Sequence, residues 1–388
     1  MSNWQIRSIG EICKKVTSGG TPLTSRAEFY LNGTIPWLKT KEINQRRIYS
    51  TENFITELGV ENSSAKLVPV NTVTVAMYGD GQTAGRVGLT KIPLATNQAC
   101  CNLIIDEELA DPEFIFYLLR GAYDELVARK TGSGQQNLNA KLIKSFEFAA
   151  PSSTVEQRAI ASTLTCLDDK IELLHRQNGT LEDMAEMLFR QWFLESENEY
   201  WVERPLSKIA NFLNGLACQK YPPTNDLDKL PVLKIRELSS GISENSDWAT
   251  SQVKPEYIVE AGDVIFAWSA SLMVKLWDGE RCVLNQHLFK VTSDEFPKWF
   301  YLRWCKHHLA EFIAISASHA TTMGHIKRGD LDAAMVLVPP PPVLEAMSQQ
   351  MKPLLDKQIE NARQRKTLEK LRDTLLPKLM SGEVRVAV

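Results

Sequence analysis

A chain of 388 residues, 44% apolar and 23% charged, is long enough for two or three domains and ordinary in make-up for a globular protein. Its formal net charge of −3 gives no overall attraction for nucleic acid, and seven cysteines without a CxxC pair argue against a disulfide framework. The chain opens with no basic segment followed by an apolar run, and no apolar run is long enough to cross a bilayer, so a cytoplasmic protein with no membrane partner is expected.

In chain order, residues 1–150 read as a first domain of short β-like runs punctuated by Gly, Pro and Asn. Strands are predicted at 72–77 and 102–105, a glycine-rich loop at 79–88, and a helix at 114–129. Residues 151–199 follow as a long helix. There, Ile160, Leu167, Leu174, Leu181 and Leu188 hold one register of a seven-residue rhythm, and Leu164, Ile171, Asn178, Ala185 and Trp192 hold the other. Steps of three and four residues keep one stripe facing a partner helix, and four sustained heptads predict a coiled coil. From Ile160 to Trp192 such a helix spans roughly 48 Å. Residues 200–342 form a second mixed domain, with strands predicted at 263–268 and 287–291 and a helix at 298–315. Four prolines at 339–342 then introduce residues 343–388, a second long helix and tail. Met347, Leu354, Leu368 and Leu375 mark one register there, and Met351 and Leu379 belong to the companion register with Gln358, Arg365 and Arg372.

The second half repeats the first. Ile35-Pro36-Trp37-Leu38-Lys39 recurs as Leu230-Pro231-Val232-Leu233-Lys234, Asn97-Gln98 as Asn285-Gln286, and Thr180-Leu181-Glu182 as Thr367-Leu368-Glu369. The fold class expected is α+β, with two duplicated α/β domains joined by two long helices that form an antiparallel coiled coil. Residues 151–200 carry 4 basic and 10 acidic residues and 343–388 carry 9 and 6, so the two helices are complementary in charge.

Catalytic motifs are missing. The chain has no GxxxxGK[ST] loop, strand-to-helix GxGxxG, GxSxG elbow or HExxH, and Tyr221-Pro222-Pro223-Thr224 lacks the ends of a DNA-adenine methyltransferase loop. Gly262-Asp263 precedes a strand without the ExK triplet of a nuclease core. Cys305, His307 and His308 lie on one predicted helix with no second ligand group, so no metal and no cofactor are expected. What recurs instead is a set of polar and basic loops, whose residue types read base edges and hold phosphates. Ser18, Gly19, Gly20 and Thr21 are answered by Asn214-Gly215 and then Lys220 and Tyr221. Lys39 and Lys41 are answered by Lys234 and Arg236. Tyr78, Gln82, Thr83 and Arg86 are answered by Trp268, Ser269 and Ser271, and Ser133, Gln135, Gln136 and Asn137 by His319, Thr321, Thr322 and His325. Polar loops with glycine are also normal domain surface, and duplicated domains share loops whatever their role.

The strings around these loops and helices resemble the specificity (S) subunit of type I restriction–modification systems. They include Ile35-Pro36-Trp37-Leu38-Lys39, Ala95-Thr96-Asn97-Gln98, Leu284-Asn285-Gln286-His287, Glu156-Gln157-Arg158, Leu188-Phe189-Arg190-Gln191-Trp192-Phe193 and Leu375-Leu376-Pro377-Lys378-Leu379. Glu345-Ala346-Met347-Ser348 departs from the Glu-Gln pattern at the start of the second helix. The resemblance covers nearly the whole chain. It implies two target recognition domains, each reading half of a split double-stranded DNA site, and a helical spacer that fixes the gap. It also implies no catalysis in this chain, which would work with two methylation subunits, users of S-adenosylmethionine, and with ATP-driven restriction subunits. The alternatives are a self-sufficient methyltransferase or nuclease with an unrecognised site, or a coiled-coil scaffold without a DNA role.

Overall fold

The computed structural model describes residues 4–79, 82–130, 137–196, 200–318 and 324–387. The chain divides into two compact units, Met1–Asp169 with Glu369–Val388, and Lys170–Leu368. Both boundaries fall within the two long helices, Thr154–Phe193 and Pro341–Met380, of 40 residues each. Each unit therefore holds one globular segment together with a stretch of both helices.

In the first unit a five-stranded sheet runs Cys13–Ser18, Cys100–Ile105, Val73–Ala76, Val87–Thr90, Arg47–Ile48. The Val73–Ala76 strand is buried along its whole length, as its β-branched run demands of a central strand. A second sheet of four short strands has Ile35–Leu38 parallel to Leu94–Thr96, with Leu38 opposite Thr96. Trp4–Ser8 pairs antiparallel with Glu147–Pro151, which delivers the chain to the first long helix. The helix expected at 114–129 is two helices, Pro112–Gly121 and Tyr123–Ala128. Asp111 caps the first, its Oδ1 accepting from the Phe114 N–H at 2.9 Å, with Pro112 at its first position. Gly121, a poor helix former, marks the break.

The second unit repeats this plan. Asn211–Asn214, Leu288–Thr292, Val264–Ala267 and Met273–Leu276 make one antiparallel sheet. In the other, Lys229–Leu233 runs parallel to Cys282–Leu284, with Leu233 opposite Leu284. Val202–Pro205 pairs with Met335–Val338 as the terminal ribbon. Here too the single helix expected is divided, into Lys298–His307 and Leu309–Ser318. At the break His308 Nε2 lies 2.9 Å from the Met335 carbonyl and its Nδ1 3.2 Å from Glu311.

Within each unit the long helices pack side by side and run in opposite directions. In the first, Ile160 and Leu164 are buried with Leu376 and Leu379, and Arg372 donates to Asp168 at 2.9 Å. In the second, Ala185 and Phe189 share a core with Met347, Met351 and Leu355. Asn178 bonds Asn361 (3.0 Å) and the Gln358 carbonyl (3.0 Å). The heptad reading needs adjustment at its edges. Leu167, Ile171, Leu181, Leu188, Trp192, Leu354, Leu368 and Leu375 are only half-buried, whereas Phe189, Phe193, Leu355, Ala362 and Leu376 are buried. The helices also serve as walls of the globular cores, so the buried stripe is wider than a two-helix seam requires. Phe193, for instance, meets Phe300 and Trp304 edge-on, with centroids at 5.8 and 5.4 Å.

Candidate nucleic-acid interface

Each unit builds the same device at the end of its parallel strand pair. In the first, the chain leaves Leu38 into Lys39 and leaves Thr96 into Asn97-Gln98, and the Asn97 N–H donates to the Leu38 carbonyl at 3.0 Å. In the second, Leu233 leads to Lys234 and Leu284 to Asn285-Gln286, with the Asn285 N–H donating to the Leu233 carbonyl at 3.1 Å. The Asn-Gln turn closes the same way in both. The Cys100 N–H donates to the Asn97 carbonyl (3.1 Å) and the Leu288 N–H to the Asn285 carbonyl (3.0 Å).

Glycine seats each turn. A Cβ on Gly19 would overlap the Thr96 carbonyl oxygen, and one on Gly215 the Asn285 carbonyl oxygen. Gly20, likewise buried, lies against Ser64 and Ala65. These glycines let two backbones approach closely. In the first unit a buried polar chain adds support: Thr74 Oγ1 donates to Asn102 Oδ1 (3.0 Å), and Asn102 Nδ2 to Thr96 Oγ1 (2.8 Å).

The basic side chains are held by matching partners. The Lys39 N–H donates to Glu42 (3.0 Å) and the Lys234 N–H to Glu237 (3.3 Å), carboxylates that cap the short helical turns that follow. Lys39 Nζ donates to Asn53 Oδ1 at 2.9 Å and lies 4.9 Å from the Trp37 ring centroid. Lys234 pairs with Asp247. Lys41 is exposed. Arg236 grips the buried Glu237 at 2.7 Å and the Asn245 carbonyl at 2.7 Å, and its side chain stays 58% exposed. Lys234, Arg236, Gln219, Trp248, Gln286 and His287 line an open concavity of about 600 Å³.

Beside the turn the two units diverge. In the second, Trp268 stacks on Phe289 (5.6 Å) and donates to Asn214 Oδ1 (3.1 Å), with His325 edge-on at 6.4 Å. Ser269 is buried, bridges to His325 through the backbone, and sits 3.1 Å from Nδ1 of the exposed His287. Strand register places Met77 where the second unit has Trp268, because Ala76 faces Cys100 as Ala267 faces Leu288. Tyr78 thus answers Ser269, one residue away from the alignment expected. The Tyr78 hydroxyl donates to the Gln98 carbonyl (3.1 Å), and Thr21 to the Gln98 side chain.

Of the other predicted residues, Arg86 donates to Asn44 Oδ1 (3.0 Å) and the Gln82 carbonyl accepts from Tyr123 (2.8 Å). Thr83 lies against Gly79, whose φ is +149°. Ser18, Lys220, Tyr221 and Ser271 are exposed, and Asn137 is half-buried. Ser133, Gln135, Gln136, His319, Thr321 and Thr322 lie outside the described residues. The loop reading passed over Gln98, Gln286, His287 and Trp248. The recurring Asn-Gln pair was the signal for the two glutamines, whereas His287 and Trp248 belong to the site only through strand pairing.

Among the described residues no group of three or more His, Cys, Asp or Glu side chains could hold a metal ion, and no helix is long and apolar enough to cross a membrane. Cys305 is wholly buried, and burial raises its thiol pKa.

The family profile described as the type I restriction modification DNA specificity domain matches residues 1–183 and again 198–370. The specificity subunit of the type I restriction enzyme MjaIX from Methanocaldococcus jannaschii is 28% identical over 414 residues, covering 99% of this chain and 94% of that one. The EcoR124I/EcoR124II specificity subunit of Escherichia coli is 31% identical over 159 residues, 40% of this chain and 38% of that one. In fold, the chain resembles the crystal structure of a type I restriction–modification S subunit from M. genitalium, with a TM-score of 0.64, 17% identity, and 98% of this chain and 96% of that one covered. The two matches span the two duplicated segments, and the chain belongs to the type I restriction–modification DNA specificity family, with two copies of its domain.

Proposed function

We propose that this chain is the DNA sequence-recognition subunit of a type I restriction–modification complex. Each unit reads one half of a bipartite double-stranded site, and the paired helices set the spacing between the halves. The observation that carries this reading is the duplicated device of Lys39 with Gln98 and Lys234 with Gln286. Each combines a cation suited to phosphate with a carboxamide, among side chains that differ from one unit to the other. Residues 1–150 and 200–342 are the two recognition domains, and 151–199 and 343–388 the spacer elements.

In this reading the chain supplies no catalysis. It directs two methylation subunits, which bring S-adenosylmethionine, and the restriction subunits that cut. A net charge of −3 then poses no difficulty, since partner subunits share the electrostatic grip on DNA. Membership of a DNA specificity family favours this reading over a self-sufficient methyltransferase or nuclease.

Replacing residues 1–150 with the corresponding segment of another family member tests the proposal. Methylated-base mapping in cells carrying the chimaera with its methylation subunits is expected to show one altered half-site and one retained. A change in both halves would refute independent reading.

A further inference from the structure

Two domains that read different half-sites must differ where they read bases, and can be identical where they hold what every duplex shares, its phosphate backbone. The duplication therefore sorts the interface. At the end of each parallel strand pair, Lys39 and Gln98 match Lys234 and Gln286 in residue type, strand register and backbone bonding. Just beyond the ends of the neighbouring strands the residue types differ: Trp268, Ser269, His287 and His325 stand where the first unit has Met77, Tyr78, Ala99 and Asn137.

The geometry points to a division of labour within each unit. We infer that Gln98 with Lys39, and Gln286 with Lys234, form a backbone-phosphate site that positions the duplex without reading it, and that the divergent side chains carry the base specificity. This rests on the recognition role proposed above. The chemistry suits it. A phosphate oxygen accepts hydrogen bonds and donates none, and both an ammonium and a carboxamide NH2 donate. In Gln98 the Oε1 accepts from Thr21, which turns the NH2 group away from that hydroxyl. The Asn of each turn is occupied by the fold: Asn97 Oδ1 accepts from Cys100 Sγ at 3.1 Å, and Asn285 is 5% exposed with its Oδ1 facing the His287 N–H at 3.4 Å. The exposed Gln98 and half-buried Gln286 remain as the outward-facing members.

The test uses the full chain with its methylation subunits and two duplexes, one carrying its own bipartite site and one with both halves scrambled. Gln98→Ala and Gln286→Ala are expected to weaken binding to both duplexes by the same factor, about 3- to 10-fold, leaving the ratio between duplexes unchanged. Gln98→Glu and Gln286→Glu, nearly isosteric but repelled by phosphate, should weaken both further. Lys39→Gln should reduce the slope of log affinity against log salt by about one. His287→Ala should instead lower the ratio. A ratio that falls in the glutamine variants would make them base readers and overturn the inference. Glutamate variants that bind like the wild type would overturn it as well. A wild-type complex that binds both duplexes equally would sink the recognition reading itself, an outcome distinguishable because no variant is involved.

Discussion

Arg303 illustrates how single residues dock a globular segment on the long helix. It is 3% exposed on the helix Lys298–His307, and it donates to Glu182 through both terminal nitrogens at 2.8 Å and to Glu186 at 3.4 Å. Lys306 joins at Glu182. Burial alone would raise the Glu182 carboxyl pKa, but Lys306 and Arg303 together hold it below the ordinary glutamate value. The first unit does the same with different residues. Burial opposes ionisation of Asp168, and Arg120 and Arg372, with a hydrogen bond from Tyr117, outweigh it and keep the carboxyl low. A carboxylate whose folded pKa is depressed contributes stability that is fully present above its unfolded pKa of about 4 and is lost as pH falls through the folded value. Thermal melts should therefore decline below about pH 4, and Glu182→Gln should flatten that decline. Arg303→Ala is expected to cost roughly 2–3 kcal/mol at neutral pH, because the part-exposed Glu182 keeps Lys306. A loss under about 0.5 kcal/mol in denaturant titration would show that the contact is only decorative.

Among the elements, the long helices were the most legible in the sequence, because a 3.5-residue rhythm sustained for four heptads is the period of a helix that keeps one stripe against another helix. The polar residues in that rhythm gain a role from packing. Asn361 is wholly buried, bonded to Asn178 through its Nδ2, and its Oδ1 has no hydrogen-bond partner among the described residues. Such a pair costs stability and penalises slipped alignments, in which it would be broken. Replacing Asn178 and Asn361 together by Leu should raise the unfolding free energy by about 1–2 kcal/mol and weaken the register, which engineered cysteine cross-links along the seam would detect. A lower unfolding free energy would instead mean that the amides stabilise outright. The expected complementarity of acidic and basic helices was only partly the right frame. Asp168 pairs with Arg372 and Glu156 with Arg385 between helix and C-terminal segment, but Glu182, Glu186 and Asp169 bind Arg303, Lys306 and Arg47 of the globular segments.

For the molecule as a whole, duplication is the organising fact, since each repeat of the domain brings its own helix. In the proposed reading, one chain that reads two half-sites makes the second contact intramolecular, a gain that depends on a stiff spacer. Adding the same whole number of heptads to both long helices should lengthen the unread gap in the methylated motif while leaving both half-sites as they were. An unchanged gap would show that the helices are not the ruler.

The chain's residues by themselves determined the repeat, the long helices and the absence of known catalytic motifs, because each is a matter of order and period along the sequence. Only tertiary structure decided which polar loops form one face. Lys39 and Gln98 are far apart in sequence and come to the same end of one strand pair because Ile35–Leu38 and Leu94–Thr96 pair in parallel, a connection that leaves no local trace. The antiparallel pairing of Val73–Ala76 with Cys100–Ile105, and of Val264–Ala267 with Leu288–Thr292, made Met77 rather than Tyr78 the counterpart of Trp268. Close packing on Thr96 and Ala65 turned Gly19 and Gly20 from loop residues into buried contacts between backbones. Short strands of three to five residues carry too little period to announce their partners, and their register is set by the packing of both faces.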